Sequence, residues 1–457
     1  MALDDVVSRF EKNSPVCFMS RIAVECVFSN ERLDAIFEQH AERQRTNELA
    51  FSSIVDMMAA VVCRFEKSVN AAYRNRADKL GVTVKALYDK LQGVETNVSR
   101  ELVRQTAGHL SDIIRLMEGE RPALLRGYRL KIVDGNHLRR TDRRIGELRE
   151  LNVAPLPGHA AVVLDPQLML VTDVFPCEDG HAQERTLLPE ILQTVERGDV
   201  WIEDRNFCTT GFLFGIAKKN AHYIIRQHAG CLRWELQGRR KRIGEIETGV
   251  VYEQKMRIHD QEGNVRVIRR ITVHLYAQTR DGDVDIHILS NLPQKVGALH
   301  IANLYRKRWT IETAFQELAE NLNNEINTLG YPKAALFGFC MGLVAYNVLG
   351  LVKAAIRAAH QGFDNLSTYY MADEIAGTYR GMMIAIPPAY WNAEYANMPP
   401  KRVAQLLLSI GKKVDPTKYA KNKWKPKKKT KSKMSKAGRQ HVSTARILKN
   451  RTKQAAK

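Results

Sequence analysis

Arg129-Leu130-Lys131-Ile132-Val133-Asp134-Gly135 is an apolar run closed by an acid and a glycine. A second run of the same make, Val200-Trp201-Ile202-Glu203-Asp204, leads into Arg205-Asn206-Phe207. Short runs rich in Val, Ile and aromatic residues and bounded by polar turns read as strands, so each places an aspartate at a strand end. Between them, 160–164 and 168–175 read as two more strands, joined by the turn Asp165-Pro166-Gln167. A helical pattern follows over about 184–196, then the strand at 199–204, a helix over 210–219 and a strand over 222–226. Three antiparallel-type strands followed by alternating helix and strand predict a mixed α/β sheet with helices on its faces.

Outward from this centre the character changes. Residues 1–125 carry apolar residues at helical spacing, as in Ile54-Val55-Met57-Met58-Val61-Val62, and predict a helical N-terminal domain. Within it, 82–91 and 98–110 form a short helix pair with Thr96 or Asn97 as cap, compatible with a DNA-binding helix-turn-helix. Residues 227–291 alternate apolar and polar positions between the turn clusters 260–264 and 279–283, which predicts a β-rich insertion. In it, Arg239-Arg240-Lys241-Arg242 between Gly238 and Gly244 reads as a basic hairpin tip able to contact phosphate. Trp234 nearby suits core packing, with stacking on an unpaired base as the alternative. Residues 292–355 continue the central domain through one helix over 297–325 that bears Tyr305, Arg308 and Glu312. Helices extend over 356–411, and 412–457 is a basic tail with a short helical pattern near 442–448 and disorder otherwise expected.

Charge is distributed unevenly. The 457 residues carry +20, and 18 Lys and Arg against the lone acid Asp415 give the segment 412–457 +17 of it, leaving the body at +3. A cationic tail on a nearly balanced body points to nucleic acid, with binding that weakens steeply as salt rises. Seven scattered cysteines without a Cys-x-x-Cys pair argue against a zinc site or disulfide framework and suit a reducing cytoplasm. The start, Met1-Ala2-Leu3-Asp4-Asp5, has no basic segment or apolar signal core. The apolar stretch 335–352, broken by Asn347, is long enough for a membrane span, but its place after Gly330-Tyr331-Pro332 and its glycines favour a buried core helix.

Asp134, Asp204 and Glu312 have the chemistry of a metal-holding carboxylate set. Two like charges about 4 Å apart at an effective dielectric near 20 cost about 4 kcal/mol, so protons or cations must relieve three that converge. Hard divalent cations take carboxylate oxygens, and a pair of them serves phosphoryl transfer. Seven residues of helix turn through about 700°, which would put Tyr305 and Glu312 on one face with Arg308 beside them; an ordinary i, i+4 Arg308–Glu312 pair is the plain alternative. Of the other acids, Asp142 and Asp165 read as turn residues and Asp179 and Glu184 as helix caps. His137 is a candidate general base, and Arg205 a candidate for holding DNA or pairing with a carboxylate.

The order Asp134, Asp204, Glu312 resembles the DDE transposases, and more narrowly the insertion-sequence-four family, whose hallmark is a Tyr-x2-Arg-x3-Glu-x6-Lys helix. Tyr305, Arg308 and Glu312 match in place, as do Asp134-Gly135, the Asp-Arg-Asn-Phe at 204–207 and the β-rich insertion. The lysine position holds Ala319, with Asn323 one turn further on. The resemblance implies a ribonuclease-H-like fold over 126–226 and 292–355 and two Mg²⁺ or Mn²⁺ ions on the three acids. It implies DNA contacts by Tyr305 and Arg308, and cutting at a mobile element's ends followed by strand transfer. Its implied partners are double-stranded DNA, as terminal inverted repeats and target, and a second copy of the chain on DNA. The implied location is cytoplasmic and nucleoid-associated, with no membrane. A ribonuclease-H-like nuclease without strand transfer, and a decayed DNA-binding protein, are the alternatives, the second raised by Ala319.

Overall fold

The computed structural model describes residues 3–44, 49–139, 141, 145–148, 153–228, 230–279, 281–421 and 441–455. Its strands are β1 (Arg129–His137), β2 (Ala154–Leu156), β3 (His159–Asp165), β4 (Leu170–Cys177), β5 (Asp199–Glu203), β6 (His222–Arg226), β7 (Arg233–Ile246), β8 (Gly249–His259), β9 (Val265–Leu275), β10 (Asp285–Ser290) and β11 (His441–Ser443). Nine of them form one sheet in the order β4-β3-β1-β5-β6-β10-β9-β8-β7. The pairs β1·β5 and β5·β6 are parallel and the rest antiparallel. The mixed sheet is therefore as expected. The β-rich segment is not a separate layer, because β10 pairs with β6 and carries β9, β8 and β7 outward as an extension of the same sheet.

Alternation along β1 and β5 decides which side chains meet which layer. Leu130, Ile132, Val200 and Ile202 face the larger core. Val133 and Trp201 face a smaller one, built with the helices Leu188–Gln193 and Thr210–Lys218. The larger core is completed by two long helices, Thr96–Leu116 and Pro332–Ala359. The latter has 28 residues and is apolar enough to cross a membrane, yet its most apolar window is 94% buried within the protein. It behaves as the core helix expected, and its one polar interruption is used. Asn347 is fully buried and completes the β4 backbone, accepting from Val171 N at 2.7 Å and donating to Val171 O at 2.8 Å. Gly350 allows the approach, since a Cβ there would stand 2.8 Å from Leu170 Cδ2.

The described residues of the segment 3–116 form helices and no strand. The second helix of the pair compatible with a helix-turn-helix packs one face into the larger core. Val98, Leu102, Val103 and Leu110 of Thr96–Leu116 are fully buried, and Arg100 forks onto Asp173 of β4 at 2.9 and 3.0 Å. The cap is Glu95, not Thr96 or Asn97, and its carboxylate accepts from the backbone N–H groups of Glu42, Arg43 and Gln44. In the basic tail the short helix expected near 442–448 is present as Thr444–Ala455. Residues 422–440 lie outside the described part, but β11 pairs in parallel with β2, and the helix Thr444–Ala455 holds Asp179 through Arg446 at 2.6 Å.

Asn347→Ala removes both partners of a buried backbone amide. It is expected to destabilise the protein by about 2 kcal/mol, the usual cost of leaving such groups unpaired, with the loss read as a lower midpoint in urea unfolding.

Candidate active site

Strand register builds the site. Ile132 of β1 pairs with Ile202 of the parallel strand β5. Asp134 and Asp204 each lie two residues further on, so they leave neighbouring strands at the same level and on the same face, the face of the larger core. Adjacent strands stand about 5 Å apart, and at that spacing two carboxylates with an effective dielectric near 20 repel by about 3 kcal/mol. Glu203, one residue earlier, points to the opposite face. It is fully buried, and neither of its oxygens finds a hydrogen-bond partner among the described residues. Burial, with the Asp204 charge next, pushes its carboxyl well above the usual range.

The third acid arrives from a helix that is not continuous. The expected single helix over 297–325 is two, Ala298–Arg306 and Trp309–Asn321, separated by a turn at Lys307 and Arg308. Tyr305 and Glu312 therefore do not share a helix face. Tyr305 is 7% exposed and packed in the larger core, so its ring is closed to a phosphate backbone. Its hydroxyl faces Arg308, and burial pushes it up to about 12. Arg308, at the turn, holds two site acids at once. Nη1 donates to Asp134 Oδ2 at 2.8 Å and Nη2 to Glu312 Oε1 at 2.6 Å. One guanidinium with its two hydrogen bonds keeps those oxygens within about 8 Å of each other. Arg308 is 13% exposed and Asp134 16%, whereas Glu312 is 46% exposed.

Asp134 shows the crowding. Burial pushes its carboxyl up to about 7; Arg308 and the Gly135 N–H pull it down, while the charges of Asp204 and Glu184 add to the rise. The donor set has the right chemistry for a divalent cation, since it consists of carboxylate oxygens alone. Its present arrangement is not a finished cage. Among the described residues no three His, Cys, Asp or Glu side chains are gathered closely enough to hold an ion. Arg308 supplies the neutralising charge in their place.

Three further residues stand at the site without having been assigned a role there from the sequence. Glu184, read as a helix cap, opens a short 3-10 turn whose N-cap is Gln183, and its carboxylate lies over Gly135. Asn206 links Asp204 to Glu184, with its backbone N–H 2.7 Å from Asp204 Oδ1 and its side-chain nitrogen 3.2 Å from Glu184 Oε2. Trp309 is 64% exposed beside Arg308. His137 is exposed and stacks on His159 at 5.1 Å. Arg205 is 47% exposed, 3.7 Å from Asp281. Asn323 cannot replace the lysine missing at 319, because its N–H groups are turned to Val61 and Val62. Asp165 is a turn residue as expected, accepting from Gln167 and Leu168 N–H, and Asp142 lies outside the described residues.

The basic run is not a hairpin tip. Arg239, Arg240, Lys241 and Arg242 are exposed in the middle of β7, the outermost strand of the sheet, at an irregularity in its pairing with β8. Arg240 lies over the Tyr252 ring at 3.9 Å and Arg242 pairs with Glu245. Trp234 stands 37% exposed on the same strand under Arg270, rather than in the core.

Residues 126–348 match the family model of the transposase DDE domain. The matched stretch runs from just before β1 through most of Pro332–Ala359 and contains all three acids. The chain is also 28% identical over 131 residues to the protein named Putative transposase y4zB of Sinorhizobium fredii (strain NBRC 101917 / NGR234). That similarity covers 28% of this chain and 35% of the relative, so the chain spans about a third of the relative's length. Both findings support a transposase.

The raised Asp134 carboxyl has a measurable sign. An acid with a folded pKa near 7 and an unfolded value about 3.9 keeps its proton in the native state while the unfolded chain releases it. Stability therefore falls as pH rises from about 4 to about 7. In chelator, melting of the wild type relative to Asp134→Asn is expected to drop between pH 5 and pH 8; a difference independent of pH would contradict this.

Proposed function

We propose that this protein is a DNA transposase of an insertion sequence, cutting phosphodiester bonds at the element's ends and joining the freed ends to target DNA. One observation carries the reading: Asp134 and Asp204 leave adjacent parallel strands in register, within a stretch that matches a transposase domain, and Arg308 brings Glu312 to the same place. The strand order β4-β3-β1-β5-β6, with the first three antiparallel and the last two parallel to β1, supports a ribonuclease-H-like centre. The other strands then form its insertion.

Asp134, Asp204 and Glu312 would hold two Mg²⁺ or Mn²⁺ ions. Such ions, when bound, activate the attacking oxygen and stabilise the departing one. The chain's own residues prepare for this. Arg308 neutralises the acids until they are loaded, and its planar fork suits a phosphate oxygen pair once released. Buried Tyr305 aims that guanidinium instead of touching DNA itself. Arg205 and the exposed β7 residues Arg239, Arg240, Lys241 and Arg242 supply phosphate contacts that position DNA without reading it. The segment 412–457 adds a salt-sensitive arm. Action as a dimer on paired ends belongs to the same reading.

Asp204→Ala is expected to abolish Mg²⁺-dependent cleavage of end DNA while leaving DNA affinity within about threefold in a gel-shift titration, since the charges that bind phosphate lie elsewhere. Pre-cleaved ends incubated with wild type and Mg²⁺ are expected to give joined products. Cutting without joining would leave a nuclease, and DNA binding without either would leave a decayed protein, the reading that Ala319 favours.

A further inference from the structure

Glu184 has no part in the three-acid scheme, yet it is built into its centre. A Cβ placed on Gly135 would lie 1.8 Å from Glu184 Oε1 and 2.4 Å from its Cδ. No side chain of any size can stand at 135 while Glu184 keeps its place, so the glycine beside Asp134 is the seat of this carboxylate. The other oxygen, Oε2, accepts from Asn206 Nδ2 at 3.2 Å. The Asn206 backbone N–H in turn donates to Asp204 Oδ1 at 2.7 Å, and Arg185 Nε donates to Asn206 O at 3.0 Å. Consecutive residues of one short turn, Glu184 and Arg185, thus grip both ends of Asn206.

We infer that Glu184 is a positioning residue: wedged against Gly135 on β1 and bonded to Asn206 after β5, it sets the direction in which Asp204 faces Asp134. The reason is mechanical. Asp204 lies past the last paired residue of β5, so no ladder hydrogen bond fixes its side chain. A turn with a free carboxylate beside another negative charge would swing away from it. The chain Glu184–Asn206–Asp204 opposes that swing, and the Gly135 contact ties it to the strand that carries Asp134. Glu184 itself brings a third negative charge to the pair, which deepens the demand for a cation between them. Outer partners of this kind ordinarily change metal affinity or activity by about 10- to 100-fold when removed.

This inference deepens the transposase reading and rests on it for its consequence, but its geometry can be tested separately. In metal-free protein, hydrogen–deuterium exchange of a peptide covering 203–208 is expected to quicken several-fold in Glu184→Ala and to stay near wild type in Glu184→Gln, which keeps an acceptor for Asn206. Mn²⁺ titration followed by electron paramagnetic resonance is expected to show at least a tenfold weaker affinity for Glu184→Ala and for Gly135→Ala. The Gly135→Ala/Glu184→Ala double variant should be no worse than Glu184→Ala, because both changes break the same wedge. Circular dichroism and melting curves guard against simple unfolding.

Unchanged exchange in Glu184→Ala overturns the positioning role whatever the metal does. Glu184→Gln as defective as Glu184→Ala overturns it in favour of direct ligation by the charge. A wild type that binds no Mn²⁺ and cuts no DNA defeats the transposase reading instead, and leaves the exchange result to decide the role of Glu184.

Discussion

The pairing of Ile132 with Ile202 is the constraint from which the rest of the site follows. Two parallel strands held in that register have no freedom to separate the residues that come two places later. Asp134 and Asp204 are brought together by a ladder of backbone hydrogen bonds and by the buried apolar side chains beneath them, not by any attraction of their own. Their mutual repulsion is carried by the fold. Everything else near them can be understood as a means of tolerating or relieving that repulsion: Arg308 with its two hydrogen bonds, the Gly135 N–H on Asp134, and Asn206 on Asp204.

Arg308 is the most informative of these. A guanidinium that spans Asp134 and Glu312 does what a divalent cation would do, with less charge and with a tether. The break between Ala298–Arg306 and Trp309–Asn321 puts it there, since a continuous helix would carry residue 308 along its flank instead of at a corner. Buried Tyr305 beneath it limits where the guanidinium can go. The charges on the acids and the arginine are therefore set against each other in advance.

The scaffold serves this centre from a distance. Pro332–Ala359 runs buried across the larger core, and Asn347 on it completes the backbone of β4. Thr96–Leu116 is pinned to the same strand through Arg100 and Asp173. The N-terminal helices are thus joined to the nine-stranded sheet by packing and by the Arg100–Asp173 pair, not appended through a linker. At the opposite edge, β7 leaves Arg239 to Arg242 in the open, where a sheet edge rich in charge resists pairing with another strand.

Much of this was legible in residue order. Short apolar runs bounded by turns marked β3, β4, β5 and β6 to within about two residues, and the start of β1, which runs on three residues past Asp134 to His137. The apolar length and glycine content of 335–352 marked a core helix, observed as Pro332–Ala359, and the scattered cysteines marked free thiols, as all seven are. What residue order left open depends on contacts between distant segments. The helix break at Lys307-Arg308 leaves the apolar spacing on either side almost unchanged. The position of Arg239 to Arg242 in mid-strand was hidden because its glycines, Gly238 and Gly244, mimic a hairpin while serving an irregular edge. The docked strand β11 has too few residues for a period to show. Composition and spacing alone determined that Asp134 and Asp204 would be carried by strands of an α/β sheet and that charge would gather in the tail; that Asp134 lies within β1, still paired with Val162, and not at its end was not legible there. Only the tertiary structure decided that Tyr305 is buried, that Arg308 bridges two acids and that Glu184 rests on Gly135. Each of these is a meeting of residues far apart in the chain, and such meetings are set by packing, not by local pattern.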